Sequence, residues 1–258
     1  MNKPFFHIIY RACDVVNAVN KSPRPYNLDK KSLIKICFKS LYDALQYVPH
    51  KITILGDKLS NEMIEFFSQY PITVTNGNYG NDESIRQCFK KATDLKDDEW
   101  IYFCEDDYLH HPKTFSYISN LIIEKQTVIS INKKFFFWQN NIRINDLVIF
   151  PSDYPDRYLA NDREPFYIFH SSDCHWRQVA NITFTILLQA KTVKKNLKIF
   201  NKASNKANDG YLSKKLFRKN FFTTKCLCLS PLPGLTSHLH IDTITPLVDW
   251  DSTIKKYQ

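Results

Sequence analysis

Three adjacent carboxylates, Glu105, Asp106 and Asp107, directly follow the apolar run Trp100–Cys104. Like charges repel, so three neighbouring carboxylates are stable in one place only when solvent or a cation relieves the repulsion. Mg²⁺ is commonly held by one or two carboxylates together with substrate phosphates, and Mn²⁺ also suits oxygen ligands. The cluster therefore predicts a divalent metal site in which Asp107 binds the metal and Glu105 or Asp106 reaches a ribose or a metal-bound water. The alternative is a solvated acidic turn that caps the next helix.

The chain before this cluster alternates between strand and helix patterns. Strands are predicted at Phe5–Tyr10, Lys51–Leu55, Ile72–Thr75 and Trp100–Cys104, and helices at Lys30–Tyr47, Asn61–Gln69 and Asp82–Ala92. This alternation predicts a parallel, doubly wound α/β sheet, in which ligands bind beyond the carboxyl ends of the strands.

Polar residues follow all four of these strands: Arg11, Asp57, Asn76 and the acidic cluster. Arg11 is a candidate contact for a nucleobase or a diphosphate, and Asp57 is a candidate hydrogen-bond acceptor for a base or ribose. The alternatives are a surface arginine and a turn-forming aspartate after Gly56.

The second half of the chain has a different pattern, with strands mixed among long loops. Strands are predicted at Val128–Ile131, Leu147–Phe150, Pro165–His170 and Thr224–Leu229, helices at Thr114–Glu124, Trp176–Ala190 and Asp209–Arg218, a polar loop at Leu197–Asn208 and an irregular tail. The aromatic run Phe135–Trp138 and Trp250 are expected in the core rather than at a ligand.

Four pieces in this order resemble the GT-A fold of glycosyltransferases, and most closely the large inverting nucleotide-sugar family of bacterial polysaccharide glycosyltransferases. They are the strand Phe5–Tyr10, GNDESIRQCFKKA (Gly80–Ala92), YFCEDDYLHHP (Tyr102–Pro112) and NDGYLSKKLFRKN (Asn208–Asn220). The chain departs from the family pattern twice: Glu105 stands where Asp is usual, and Asn208 where Glu is usual. Both departures bear on metal preference and rate more than on the type of reaction.

The resemblance implies a GT-A-like, doubly wound, mostly parallel sheet with a mixed C-terminal acceptor half. It implies a single domain over residues 1–258, with a nucleotide-sugar-binding half (1–112) and an acceptor-binding half (113–258). The implied reaction is a Mn²⁺- or Mg²⁺-dependent transfer of a sugar, with inversion, from a nucleotide diphosphate donor to a hydroxyl of a glycan or lipid-linked glycan.

The resemblance also assigns roles to individual residues. Asp82 and Arg86, near the start of a helix, would contact the donor, with Arg86 on the phosphates; alternatively, Asp82 is a helix cap. A late histidine would complete the metal site, and His238 is favoured over His240, although an isolated histidine is more often structural.

An inverting transfer requires a carboxylate that takes the proton of the acceptor hydroxyl. Asp209 is the first candidate for this base, because it opens a helix and precedes Gly210; a helix cap is again the alternative. Asp173, within HSSDCHWRQ (His170–Gln178), is the rival base, since polar groups beside an aromatic ring at a strand-to-helix junction suit sugar binding. A capped helix with a core tryptophan would produce the same sequence.

Composition restricts the remaining possibilities. A formal net charge of +9 on 258 residues indicates a basic surface, but the lysines are spread along the chain, so no nucleic acid is expected as a partner. The sharper interpretation is attraction to a nucleotide diphosphate, an anionic glycan or the inner face of a membrane.

The seven cysteines have scattered spacing and are expected to be reduced and mostly buried. The N-terminus does not resemble a signal peptide, so a cytoplasmic location is expected.

Two other functions use similar residues. A nucleotidyltransferase also combines a doubly wound sheet with acidic metal ligands, but it usually has a glycine-rich basic loop after the first strand, where this chain reads RACDVVN. The other alternative is a non-catalytic module that binds a sugar or a nucleotide.

Overall fold

The computed structural model describes residues 3–15, 25–124, 129–132, 139–142, 146–159, 167–217 and 226–258. The aromatic run Phe135–Trp138 lies outside these ranges.

The first part of the chain alternates strand and helix as the sequence predicts. Its elements are β1 (Phe6–Ala12), α1 (Lys30–Leu45), β2 (His50–Asp57), α2 (Asn61–Ser68), β3 (Thr73–Gly77), α3 (Asn81–Lys91) and β4 (Trp100–Glu105). The side chain of Asp29 caps α1 by accepting a hydrogen bond from the Ser32 amide, which explains why this helix begins at Lys30.

The second part contains short strands between helices. In chain order the elements are β5 (Tyr108–His110), α4 (Thr114–Glu124), β6 (Ile129–Asn132), β7 (Gln139–Ile142), β8 (Leu147–Ile149), β9 (Ile168–His170), β10 (His175–Gln178), β11 (Ile186–Gln189), α5 (Ala190–Lys195), α6 (Leu197–Ser204), α7 (Asp209–Leu216), β12 (Leu227–Leu232), β13 (Thr236–His238) and α8 (Trp250–Tyr257). None of the helices described is long and apolar enough to cross a membrane.

One nine-stranded sheet runs through both parts, in the order β3-β2-β1-β4-β11-β8-β12-β10-β9. The four N-terminal strands pair in parallel. Beyond them the sheet is mixed, because β11 is antiparallel to both β4 and β8, whereas β8 and β12 are parallel. This arrangement confirms the predicted α/β class, with a parallel N-terminal half of the sheet and a mixed C-terminal half.

Helices cover both faces of the sheet because side chains alternate along each strand. On β1, Ile8 and Tyr10 point into a core formed with α1, α2 and α4, whereas Ile9 points into a core formed with α3 and α5 to α7. Phe38 of α1 is fully buried in the first core, and its ring lies edge-on to that of Phe67 at a centroid distance of 5.0 Å.

Phe38 should be among the side chains that contribute most to stability. Phe38→Ala removes a fully buried ring and leaves a cavity, so we expect the free energy of unfolding to fall by about 3–5 kcal/mol. Urea denaturation followed by circular dichroism measures this difference. Tyr47→Ala is the control, because that ring is 66% exposed and its removal should leave the midpoint almost unchanged.

Two predicted elements in the second half are wrong. Trp176–Ala190 is not a helix but contains β10 and β11. Strand β11 lies at the centre of the sheet with all four residues buried, so its sequence is a continuous apolar run that lacks the alternation of a half-exposed strand. The region Leu197–Asn208 is not a loop, because Leu197–Ser204 forms α6 and buries Phe200 and Ala203.

The tail is also more regular than predicted. It contains β13 and α8, and α8 packs Trp250 and Ile254 against Leu33 and Cys37 of α1. The burial of Trp250 confirms its expected place in the core. All seven cysteines are free thiols and five of them are buried, as predicted.

Candidate functional site

The carboxyl ends of the parallel strands lie side by side, as the sequence predicts. Arg11 at the end of β1 is level with Leu55 on β2 and with Glu105 on β4. Gly56 is in turn level with Asn76 on β3. The polar residues that follow these strands therefore share one edge of the sheet.

Glu105 is bound to Arg11 on the α3 face of the sheet. An Arg11 guanidinium nitrogen lies 2.7 Å from the Glu105 carboxylate, and another donates to Asn81 at 3.1 Å and to Ser84 at 3.3 Å. The backbone amide of Glu105 donates to the Thr185 hydroxyl at 3.1 Å. Burial raises the pKa of Glu105, although Arg11 opposes this effect and the Asp107 charge adds to it. The carboxylate is thus held in one orientation beside a permanent cation.

Asp106 points to the opposite face of the sheet. Its carboxylate lies 2.6 Å from the Lys30 ammonium and accepts the Cys13 amide at 2.9 Å. The side chains of Lys30 and Asp106 are only 8% and 11% exposed. Both oxygens of Asp106 are therefore bound by protein groups. The carboxylate links α1 and the end of β1 to the end of β4.

Removal of Lys30 should destabilise the fold strongly. Lys30→Met leaves the Asp106 charge buried without its cation, and breaking a buried pair in this way typically costs about 3 kcal/mol or more. Thermal and urea denaturation of the variant should show this loss. Lys31→Met is the matched control, because Lys31 forms an exposed ion pair with Glu62. Exposed pairs contribute little to stability, so this variant should unfold at nearly the wild-type midpoint.

Asp107 meets His238, although the two are far apart in sequence. Strand β13 pairs with β5 in an antiparallel ladder that sets His238 opposite Tyr108, and the Leu239 amide donates to the Asp107 carbonyl at 2.8 Å. This pairing leaves the His238 Nε2 atom 3.3 Å from a carboxylate oxygen of Asp107. The imidazole is also stacked on the Tyr108 ring, with a centroid distance of 4.8 Å and an interplanar angle of 4°.

The Asp107–His238 pair can supply part of a cation site. Adjacent ligands of an octahedral ion at about 2.1 Å are about 3 Å apart, which is close to the separation of these two atoms. The two side chains remain 21% and 23% exposed, so an ion could reach them. The described residues include no group of three or more histidine, cysteine or acidic side chains suited to hold a metal. A cation here would need further ligands from substrate oxygens and water, as Mg²⁺ usually does.

Asp82 and Arg86 connect α3 to the segment before α7. The Asp82 carboxylate accepts the Lys206 amide at 2.7 Å, and Arg86 donates to Asn205 at 2.8 Å while pairing with Glu83. Lys206 has a positive φ of 57°, so the Asp82 contact fixes a left-handed bend just before α7. These contacts are between protein groups, and the predicted donor-binding roles of Asp82 and Arg86 remain predictions.

Asp209 is the first residue of α7, as the sequence predicts. The preceding residue, Asn208, is the cap, and its side chain accepts the Tyr211 amide at 2.8 Å. Burial raises the pKa of Asp209 above the ordinary value for aspartate. Hydrogen bonds from the backbone amides of Gly210 and of Asp209 itself oppose this increase. One turn later, the Ser213 hydroxyl accepts the Ile182 amide at 3.2 Å. Helix α7 is therefore attached to the 182–185 segment whose Thr185 holds Glu105.

The Asp57 side chain binds the backbone of the turn that precedes α3. It is 6% exposed, and one carboxylate oxygen accepts the Tyr79 amide at 2.7 Å and the Gly80 amide at 3.1 Å. These bonds correspond to the turn-forming alternative for Asp57, and its predicted contact with a base or ribose remains a prediction.

Asp173 lies far from the acidic cluster. The expected strand-to-helix junction is wrong, because residues 171–174 form the turn between β9 and β10, so a strand directly follows Asp173 where a helix was expected. The Asp173 carboxylate accepts a hydrogen bond from Asn120 of α4 at 2.8 Å. Strand β10 is four positions from β4 in the sheet, a lateral distance of about 19 Å at the usual strand spacing. Asp173 is thus remote from the acidic cluster, whereas Asp209 opens a helix that is bonded to the 182–185 segment beside Glu105. The predicted roles of both residues as bases remain predictions.

Three residues that shape this edge were missed from the sequence: Lys30, Tyr108 and Thr185. An acidic partner for Lys30 could have been predicted, because a lysine in the first turn of a helix is disfavoured by the helix dipole unless a nearby negative charge stabilises it. Tyr108 and Thr185 offered no such signal, since their partners are brought to them by β13 and β11.

No protein-family model and no curated protein sequence matches this chain. Similar solved structures include a nucleotidyl transferase from Methanothermobacter, with 11% identity, a TM-score of 0.43, and coverage of 89% of this chain and 87% of that chain. A 4-diphosphocytidyl-2C-methyl-D-erythritol synthase has 11% identity, a TM-score of 0.42 and coverage of 99% and 98%. The galactosyltransferase LgtC, solved with donor and acceptor sugar analogs, has 10% identity, a TM-score of 0.40 and coverage of 80% and 69%. Similarity at this level assigns none of these activities to this chain.

Proposed function

We propose that this protein is a metal-dependent glycosyltransferase that moves a sugar, with inversion, from a nucleotide diphosphate donor to a hydroxyl acceptor. The observation that carries the proposal is the Asp107–His238 pair at the carboxyl edge of the parallel strands. An oxygen and a nitrogen ligand 3.3 Å apart, both partly exposed, suit a divalent cation that also binds the donor diphosphate.

The residues around this pair have separate tasks in the proposal. Asp107 and His238 hold Mn²⁺ or Mg²⁺, which, when bound, neutralises charge on the departing nucleoside diphosphate. Glu105 is the carboxylate proposed to orient the donor ribose, because Arg11 binds one of its oxygens whereas both oxygens of Asp106 are bound, by Lys30 and by the Cys13 amide. Arg11 adds a partly buried positive charge beside Glu105, which would attract a diphosphate.

Asp209 is the proposed general base. Its carboxylate takes the proton of the acceptor hydroxyl while that oxygen forms a bond to the anomeric carbon. The bond from the anomeric carbon to the diphosphate oxygen breaks, and its electron pair leaves with the nucleoside diphosphate. A pKa raised by burial suits this task, because a base is most effective when its pKa approaches the working pH.

A nucleotidyltransferase is the second candidate, and the same edge of the sheet supports it, since metal-bound carboxylates also serve attack on a nucleoside triphosphate. The two reactions differ in their products.

Purified full-length protein with Mn²⁺ would be incubated with a panel of nucleotide sugars and, separately, with nucleoside triphosphates plus sugar 1-phosphates. Release of a nucleoside diphosphate from a nucleotide sugar, abolished by EDTA, is the expected result. Pyrophosphate release from the second mixture would favour the nucleotidyltransferase, and no turnover of either would favour a binding module.

A further inference from the structure

Helices α6 and α7 pack together and expose a basic face, which we define by Lys198, Lys202, Lys214 and Lys215. The surrounding segment is strongly unbalanced in charge. Residues 190–216 contain eight lysines and a single acidic residue, Asp209. Such a local excess of one sign attracts polyanions, even though lysines are spread along the rest of the chain.

The lysines of this basic face lie close to one another across the two helices. The Lys202 ammonium is 5.2 Å from the centre of the Tyr211 ring, and the Lys215 ammonium is 5.8 Å from it. Lys198 lies one helical turn before Lys202, and Lys214 and Lys215 lie three and four residues after Tyr211, on the same side of α7. None of the four forms an ion pair with another residue that the structure describes, whereas neighbouring Lys194 is bound to Asp97 at 3.0 Å. The four charges thus remain available to an external anion.

We propose that this basic face docks on the surface of an anionic lipid bilayer. Lysine ammonium groups are point charges on flexible stems, which suit mobile lipid headgroups, whereas the planar fork of arginine suits fixed phosphates in nucleic acid. The residues that the structure describes in α6 and α7 include no arginine. Tyr211, set between two lysines, combines an apolar ring with a polar tip, as do residues enriched at the interface between lipid and water.

Docking in this orientation would bring the candidate base to the membrane. Asp209 opens α7, and Lys214 and Lys215 lie five and six residues later, so a bilayer against the basic face would lie within about two helical turns of the proposed base. If the proposed function holds, the acceptor class would be a lipid-linked hydroxyl compound. This extension rests on the proposed function, whereas the docking surface does not.

The test uses full-length protein and vesicles, without any sugar nucleotide. Flotation would be compared on phosphatidylcholine vesicles containing phosphatidylglycerol and on phosphatidylcholine alone, at low and high salt. The patch variant carries Lys198→Glu, Lys202→Glu, Lys214→Glu and Lys215→Glu. A control with the same change in net charge carries glutamate at four exposed lysines elsewhere: Lys51, Lys96, Lys113 and Lys255. Circular dichroism melting curves would establish that both variants fold.

Each lysine near an anionic surface strengthens binding by a factor of about five. We therefore expect salt-sensitive binding of the wild type to the anionic vesicles only, a small effect of the control variant and at least a tenfold loss in the patch variant. Equal loss in both variants, or no binding by the wild type at low salt, would overturn the proposal. Patch-dependent binding of a single-stranded oligonucleotide without vesicle binding would overturn it in favour of nucleic acid.

Discussion

Replacement of Asp107 with alanine should abolish metal-dependent binding of a nucleoside diphosphate. In the proposed site Asp107 and His238 are the protein's two metal ligands, so loss of the carboxylate leaves a single imidazole. Changes in residues that merely orient metal ligands cost about 10- to 100-fold in affinity, and loss of a direct ligand should cost at least about 100-fold. Calorimetric titration of UDP and GDP, with Mn²⁺ and then with EDTA, measures the effect.

The control for this experiment is Asp98→Ala. Asp98 is exposed and lies just before β4, at the opposite end of the strand from Asp107, so its removal should leave nucleotide binding unchanged. His238→Ala should reproduce the Asp107 defect. If the Asp107 variant still binds a nucleoside diphosphate with wild-type affinity in Mn²⁺, Asp107 is not part of the site.

Asp209→Asn should separate donor binding from transfer. The amide preserves the shape of the side chain but cannot accept a proton, so we expect the transfer rate to fall by about 100- to 10,000-fold. Donor affinity should be unchanged, because Asp209 does not contact the Asp107–His238 pair in the proposed mechanism. The wild-type rate should fall as the pH falls through the pKa of Asp209, since only the ionised carboxylate accepts a proton.

Asp173→Asn is the matched control for Asp209. Its carboxylate is bonded to Asn120 and lies at the far edge of the sheet, so transfer should continue at nearly the wild-type rate. A large defect in the Asp173 variant with an intact rate in the Asp209 variant would exchange the roles of the two residues.

The parallel half of the fold could be predicted from sequence because periodicity is clear there. The helix over Lys30–Leu45 repeats apolar residues at helical spacing and begins after a capping aspartate. Strand β4 likewise ends where its apolar run meets the acidic cluster. By contrast, β11 is buried on both faces, and its four residues show neither alternation nor a boundary residue that would distinguish a strand from a helix.

The partners of the site residues could be predicted only in part, because they come from elements that are distant in sequence. The acidic cluster is contiguous in sequence, so its charge repulsion was visible before any fold was known. Its division into three differently partnered carboxylates was not visible, because Arg11, Lys30 and His238 arrive from β1, α1 and β13. Their meeting depends on the register of β1 with β4 and of β5 with β13, which a single sequence does not encode locally.

Diffraction from crystals grown with Mn²⁺ and a nucleoside diphosphate, collected at the manganese absorption edge, would show directly where the protein holds the metal. We expect an anomalous peak within bonding distance of Asp107, His238 and the diphosphate, at the carboxyl ends of β1 and β4. A manganese ion bound elsewhere, or a nucleotide bound away from this edge while Asp107 and His238 stay paired, would contradict this expectation.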